Sequence, residues 1–303
     1  MAKYIRSQWL PNFWQNRACF SPLRLLAEPL SHFSNNWPSL DDLQDLVQQS
    51  TQPIRTLSGH PLTIVPQDHK PHDFDRHYAP RIYLTGEIQT RTANWHDFFQ
   101  IVSWILFPTT KAAINARHYH AAKLRFENMT TPGRRSPAEN LLSLFDECGA
   151  VIVASDPALL QMIVDFDWKE LFWRQRHRLQ HSLSCIVFGH AFNEKLINPY
   201  VGMTANSLLL AVEPRCMSLP QADLVKYIDN RLARYFMDTS VLTSPHDLTP
   251  FPILGLPGWY EPNGQEQFYD NTRYFRAQRR RQSDSQTPGN NRIIYVDDNC
   301  ESG

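Results

Sequence analysis

The chain is predicted to fold as a helix-rich α/β protein with a small, mostly parallel sheet, a buried pair of helices ahead of it and an irregular, aromatic-rich closing segment. Three observations lead there. From Gly149 onward short apolar runs alternate with helical stretches: AVIVASD then PALLQMIVDFDWKELFWRQ, SCIVFGH then AFNEKLI, SLLLAVE then LPQADLVKYIDNRLARYFM. The segment from Asn94 reads as two helices in series, the first apolar almost all round, which is the pattern of a helix inside a core. From Leu248 the prolines and glycines of LTPFPILGLPGWYEPNGQEQFYDNTRYF leave no sustained period, so an ordered segment of turns is expected.

Taken in order, residues 1–80 are rich in Pro and His and are expected to form a lead-in packed on a single main domain, 81–276. Within the lead-in, Ser39 is placed to cap a helix over Leu40 to Gln49, because Leu40, Leu43, Leu46 and Val47 fall on one face. The histidines between His60 and His77 are spread and interrupted by Pro, which reads as a solvated loop rather than a metal site. Asn94 is the expected N-cap of the first buried helix, Asp97 is placed to complete a capping box with it, and Pro108 ends or kinks that helix. Asp156, Pro157 and Pro220 punctuate the later helix starts. Each strand is separated from the next by enough chain for a crossover, so parallel pairing is expected. Residues 277–303 turn polar and Arg-rich and read as a largely disordered tail, in which Ile293 to Val296 offer one docking strand.

With 42% hydrophobic and 20% charged residues in 303, the composition is that of a folded globular chain. Thirty Lys+Arg offset thirty Asp+Glu, so no bulk field draws the protein to nucleic acid or anionic lipid. Cys19, Cys148, Cys185, Cys216 and Cys300 show no metal spacing and no disulfide framework, and are expected to be reduced. The first residues lack an unbroken apolar stretch, and the longest uncharged apolar run, Phe98 to Thr110, is too short to span a bilayer; no membrane association and a cytoplasmic location are expected.

Candidate site residues come from three places. Lys111, Asn115 and His118 lie at i, i+4 and i+7 of the second helix, one face, while His120 points elsewhere. That stripe is either one wall of a cleft or the solvated face of an amphipathic helix. His96, flanked by Trp95 and Phe98, is either a hydrogen-bonded core histidine or part of a pocket. Gly189-His190 ends a strand and opens a helix, where α/β proteins deliver ligand-binding groups, and Glu194 follows one turn later. His190 and Glu194 are therefore candidate ligands for a divalent metal, or Glu194 orients His190 as a base; a plain i, i+4 hydrogen bond is the structural alternative. Arg91 joins Lys111 and Asn115 as a candidate anion-binding group. No G-x-S-x-G, Walker or G-x-G-x-x-G motif is present, which disfavours serine hydrolases, P-loop NTPases and common dinucleotide enzymes.

At GEIQTRTANWHDFFQIVSWILFPTTKAAINARHYH, FGHAFNEKLINPYVGMTA and PILGLPGWYEPNGQEQFYDNTRYFR the sequence resembles an uncharacterised bacterial family, the domain-of-unknown-function family thirty twenty-five. The resemblance runs from about Arg81 to Arg276 and implies a bacterial, cytoplasmic protein, with no reaction, substrate or cofactor attached. The leading expectation from the residues is an enzyme, a hydrolase or transferase acting on a small anionic molecule, with His118, His190, Glu194 and His96 as catalytic candidates and a divalent metal as the one cofactor considered. The alternative is a non-catalytic module binding a protein or RNA through Trp259, Tyr260, Phe268, Tyr269 and the basic cluster Arg273, Arg276, Arg279, Arg280 and Arg281. Neutral net charge weighs against nucleic acid. A third possibility is that the polar groups form a purely structural hydrogen-bond network.

Overall fold

The computed structural model describes residues 8–15, 17–50, 52–68, 73–128, 135–277 and 293–296. The principal elements in chain order are α1 (Ala27–Ser31), α2 (Leu40–Gln48), β1 (Thr63–Pro66), α3 (Tyr78–Thr85), β2 (Glu87–Thr90), α4 (Trp95–Leu106), α5 (Pro108–Glu127), α6 (Pro137–Cys148), β3 (Gly149–Ala154), α7 (Pro157–Val164), α8 (Arg176–Ser182), β4 (Leu183–Val187), α9 (His190–Leu196), β5 (Ala205–Ala211), α10 (Gln221–Met237), β6 (Thr249–Phe251) and β7 (Ile293–Tyr295). The fold is α/β and helix-rich. Among the described residues no helix is long and apolar enough to cross a membrane.

The main sheet has the order β4-β3-β5-β6, with β7 also pairing with β5. β3 is buried along its whole length and pairs parallel with β5. β4, for which crossover length suggests parallel pairing, instead runs antiparallel to β3. The cause is a break in the chain between them: the expected single helix stops at Val164, Phe166 takes a left-handed φ of 60°, and α8 follows a π-helical turn. The chain thereby returns to the end at which β3 finished, where the Ser155 N–H donates to Ser182 O at 3.0 Å. A second parallel pair, β1 with β2, lies where the sequence shows only a lead-in and a loop. Four-residue strands carry too short a pattern to be read by period.

The polar stretches 278–292 and 297–303, where a disordered tail is expected, lie outside the described residues; between them β7 docks parallel on Leu209–Ala211 of β5. Cys19, Cys148 and Cys185 are free thiols, whereas Cys216 is disulfide-bonded, a correction to the expectation of reduced cysteines. Spacing along the chain does not limit which thiols meet in space.

α4 is the central helix. Trp95, Phe98, Phe99, Ile101, Val102 and Trp104 are all buried, and the N-terminal segment closes over them: Trp9 stacks on Trp95 at 4.8 Å and Phe20 on Phe99 at 6.1 Å. α5 starts directly after α4, with Pro at its first position and no side-chain cap of its own. Its orphan N–H groups are satisfied from α10: Asp229 Oδ2 and Oδ1 accept from the backbone N–H groups of Thr109 and Thr110 at 3.0 and 2.8 Å. Two turns of each helix further on, the buried Arg117 guanidinium of α5 donates to the carbonyls of Phe236, near the end of α10, and of Val241 and Leu242 just beyond it. The two helices run side by side in the same direction, each closing an open end of the other.

At the opposite edge, the N–H groups of Phe188 and Gly189 both donate to Gly149 O, at 3.0 and 2.9 Å, tying the β4–α9 turn to the α6–β3 junction. Gly189 is required there by contact: a Cβ would lie 2.5 Å from Glu147 O and 2.6 Å from Cys148 N. Because both neighbours are backbone, Gly189→Ala is expected to cost about 1–3 kcal/mol through forced separation of the two segments, read from the urea unfolding midpoint. Asp229→Ala should cost about 1–3 kcal/mol for each donor left unpaired at the start of α5; an unfolding midpoint equal to wild type would show that α5 does not depend on this cap.

Candidate functional site

A cavity of about 520 Å³ opens between α3, α5 and α6. Lys111, Asn115 and His118 line it together, so the stripe on α5 is a cavity wall. Lys111 is 3% exposed, and its Nζ sits 2.6 Å from Asp146 Oδ1 and 5.6 Å from the centre of the Trp104 ring. Asn115 donates from Nδ2 to Ala79 O at 3.0 Å, while its Oδ1 is buried with no hydrogen-bond partner among the described residues. His118 is half-buried, and burial lowers its pKa to about 4, with Arg135 and Lys111 adding to the shift against Asp146 and Glu139. Its Nε2 lies 3.5 Å from Ser143 Oγ, which accepts from Arg135 Nη1 at 3.0 Å.

Asp146 and Glu147, at the end of α6, join this cavity to a second group of side chains. Burial would raise Asp146, yet the charges of Lys111 and His190 outweigh it and hold the carboxyl below its ordinary value. Asp146 Oδ2 lies 3.8 Å from His190 Nδ1. His190, the first residue of α9, is buried, which pushes its pKa down to about 3; Lys111 and His96 act in the same sense and Asp146 against them. Its Nε2 faces His96 Nε2 at 3.2 Å and Glu147 Oε1 at 3.7 Å. Burial also raises Glu147, with Asp146 adding to the shift. His96 comes from the first turn of α4, so helices α4, α6 and α9 each deliver one member of the group. Ligand atoms of His96, Glu147 and His190 all lie within 4.8 Å of one another.

Glu194 does not face His190, one turn before it on α9. It lies against His96, with Oε2 3.8 Å from Nδ1. Arg91 stands apart from the cavity lining: its Nε and Nη2 bind Asp97 at 2.9 and 2.8 Å, and that hydrogen bonding raises its pKa. Asp97 also accepts from the Arg91 N–H at 2.7 Å, so it reaches back to Arg91 instead of forming the expected capping box with Asn94. Asn94 itself caps α4, accepting from the Asp97 N–H at 3.1 Å.

The sequence reading missed Asp146 and Glu147. One signal was available: two acids in the last turn of a helix face the negative end of its dipole, with no basic residue in that turn to offset them. Carboxylates so placed need partners from elsewhere, and here those partners are Lys111, His96 and His190.

The closing segment is built into the core. Tyr269 is buried, and its hydroxyl lies 3.0 Å from both Gly255 O and Asn263 O; Trp259, Tyr260 and Phe268 are half-buried against the same core. Arg273 and Arg276 are exposed, and Arg279, Arg280 and Arg281 lie outside the described residues.

Comparison with curated proteins and with solved structures finds no match. A family model described as a protein of unknown function (DUF3025) matches residues 62–279. That match covers most of the chain, from β1 through the cavity and the paired histidines to the aromatic closing segment, and the chain belongs to this family.

Proposed function

We propose that the protein is a hydrolase whose substrate, a small anionic molecule, occupies the cavity between α3, α5 and α6. The observation that carries this reading is the meeting, in one cavity, of Lys111, Asn115 and His118 from α5 with Glu147 of the His96–His190 group from α6. An ammonium has three donors, and Asp146 takes one from Lys111, which leaves donors for an anion. Arg135, exposed on the cavity lining, adds a positive charge. His118 is neutral at pH 7 and so able to take a proton from water. In such a hydrolysis the water oxygen bonds to the acyl or phosphoryl centre, its proton passes to His118 Nε2, and the leaving group departs with that proton. The alternative of a protein- or RNA-binding surface has less support, because the aromatic side chains it would use pack against the core.

Binding is tested by thermal unfolding with inorganic phosphate, sulfate, acetate and succinate, and catalysis with p-nitrophenyl phosphate and p-nitrophenyl acetate. At least one anion is expected to stabilise wild type, by about 2.7 kcal/mol at a hundred times its Kd, and to stabilise Arg135→Glu and Asn115→Asp less. Absence of both stabilisation and turnover in the wild-type protein would sink the hydrolase reading.

His118 also gives a pH signature. Its folded-state pKa of about 4 lies below the ordinary 6.5, so the unfolded chain takes the proton more readily. The stability tied to the neutral ring is intact above pH 6.5 and is lost as pH falls toward 4. The unfolding midpoint of wild type is expected to fall more steeply across that window than that of His118→Gln; parallel curves would show that the ring is not held neutral by the fold.

A further inference from the structure

We propose that His96, His190 and Glu147 bind one divalent transition metal of the zinc type, with Glu194 and Asp146 holding the two imidazoles from behind. The proposal rests on the cavity reading only for what the metal would act on; its geometry stands by itself.

Zinc binds imidazole nitrogen at ~2.0–2.1 Å and carboxylate oxygen at ~2.0–2.2 Å, so two nitrogens at tetrahedral angles around one ion lie about 3.3 Å apart. The two Nε2 atoms are 3.2 Å apart. Glu147 Oε1, 3.7 Å from His190 Nε2, belongs to a side chain that is 46% exposed and free to adjust. The rear of each ring makes the same point. His96 Nδ1 faces Glu194 and His190 Nδ1 faces Asp146, both at 3.8 Å. Neither contact is a formed hydrogen bond, and His190 Nδ1 is buried with no hydrogen-bond partner among the described residues; a carboxylate on that side still favours the tautomer with its proton there, and closing the contact gives the carboxylate–histidine arrangement found behind bound metals. With both protons on Nδ1, the two Nε2 lone pairs point at one another across 3.2 Å, which is repulsive unless a cation lies between them.

Two histidines and one glutamate leave a coordination position for water or substrate, the pattern of catalytic rather than structural zinc sites. Glu147 lines the cavity, so a metal held by it supplies a Lewis acid at the cavity wall. Glu194, considered from sequence as a ligand together with His190, takes the role of a positioning residue for His96. The competing arrangement is an imidazole–imidazole hydrogen bond, in which one ring has its proton on Nε2 and no ion is held.

The test is titration of the full-length protein, freed of metal by chelator and then dialysed, with Zn²⁺ by calorimetry and with Co²⁺ by visible absorption. Wild type is expected to bind one equivalent of each, with the absorption of low-coordinate cobalt. His96→Ala and Glu147→Gln, both at partly exposed positions, should bind at least a hundredfold more weakly, and Glu194→Gln about 10–100-fold more weakly. His181→Ala, which removes an exposed histidine elsewhere, should bind as wild type does. Circular dichroism establishes that each variant is folded. A folded wild type that binds neither metal, or equal affinity in wild type, His96→Ala and Glu147→Gln, would overturn the site and favour the imidazole hydrogen bond. Failure of the cavity reading looks different: metal bound as expected, with no anion stabilising the protein in either the metal-loaded or metal-free state.

Discussion

A lysine ammonium with 3% of its side chain exposed has lost its water and needs a counterion in its place, and Lys111 has Asp146 at 2.6 Å. Removing either partner of such a pair leaves an uncompensated buried charge, a loss of about 3–5 kcal/mol in comparable cases. The pair therefore fixes how α5 lies against α6, and with it the width of the cavity between them. The second oxygen of Asp146 lies 3.8 Å from His190 Nδ1, so the same carboxylate also acts by charge on the imidazole. One carboxylate thus holds a cation in the cavity wall and faces an imidazole behind it.

The charge states around this pair follow from burial. His118 and His190 are both held neutral at pH 7, and neutral imidazole is the form that accepts a proton or binds a metal. Glu147 is pulled the other way, toward the proton, by burial and by the adjacent Asp146. A cluster of this kind is poorly stabilised by its own members. The helices hold it: α4 is clamped by Trp9 and Phe20, while the start of α9 is bound to the α6–β3 junction through Gly149 O.

What local sequence could report, it reported well. The cap at Asn94, the break at Pro108 and the shared face of Lys111, Asn115 and His118 depend on helical period and on residues a few positions apart. The alternation after Gly149 marked β3, β4 and β5 of the main sheet, but not β6, which lies in the segment read as turns; Gly189-His190 marked the turn that carries a site histidine. Relations between distant segments were not legible. Glu194 turns to His96 and not to its own helix neighbour, and Asp146 to a lysine on another helix. Each choice depends on where a second element arrives, which no window of the chain contains. The reversal of β4 has a different origin, since it follows from the left-handed break at Phe166, a residue whose type gives no warning of it.

The edge of β5 opposite β3 is shared by two short strands, β6 along Ala205–Ser207 and β7 along Leu209–Ala211. β7 comes from far along the chain, so on the ribosome every residue from Val212 to Arg292 is made before that half of the edge can be covered. Until then β5 presents unpaired backbone groups beside Leu209 and Leu210, the kind of edge at which nascent chains pair with one another. A chain stalled or clipped ahead of Ile293 would retain its cavity and its histidines, and would still leave the ribosome with a strand edge available to its neighbours.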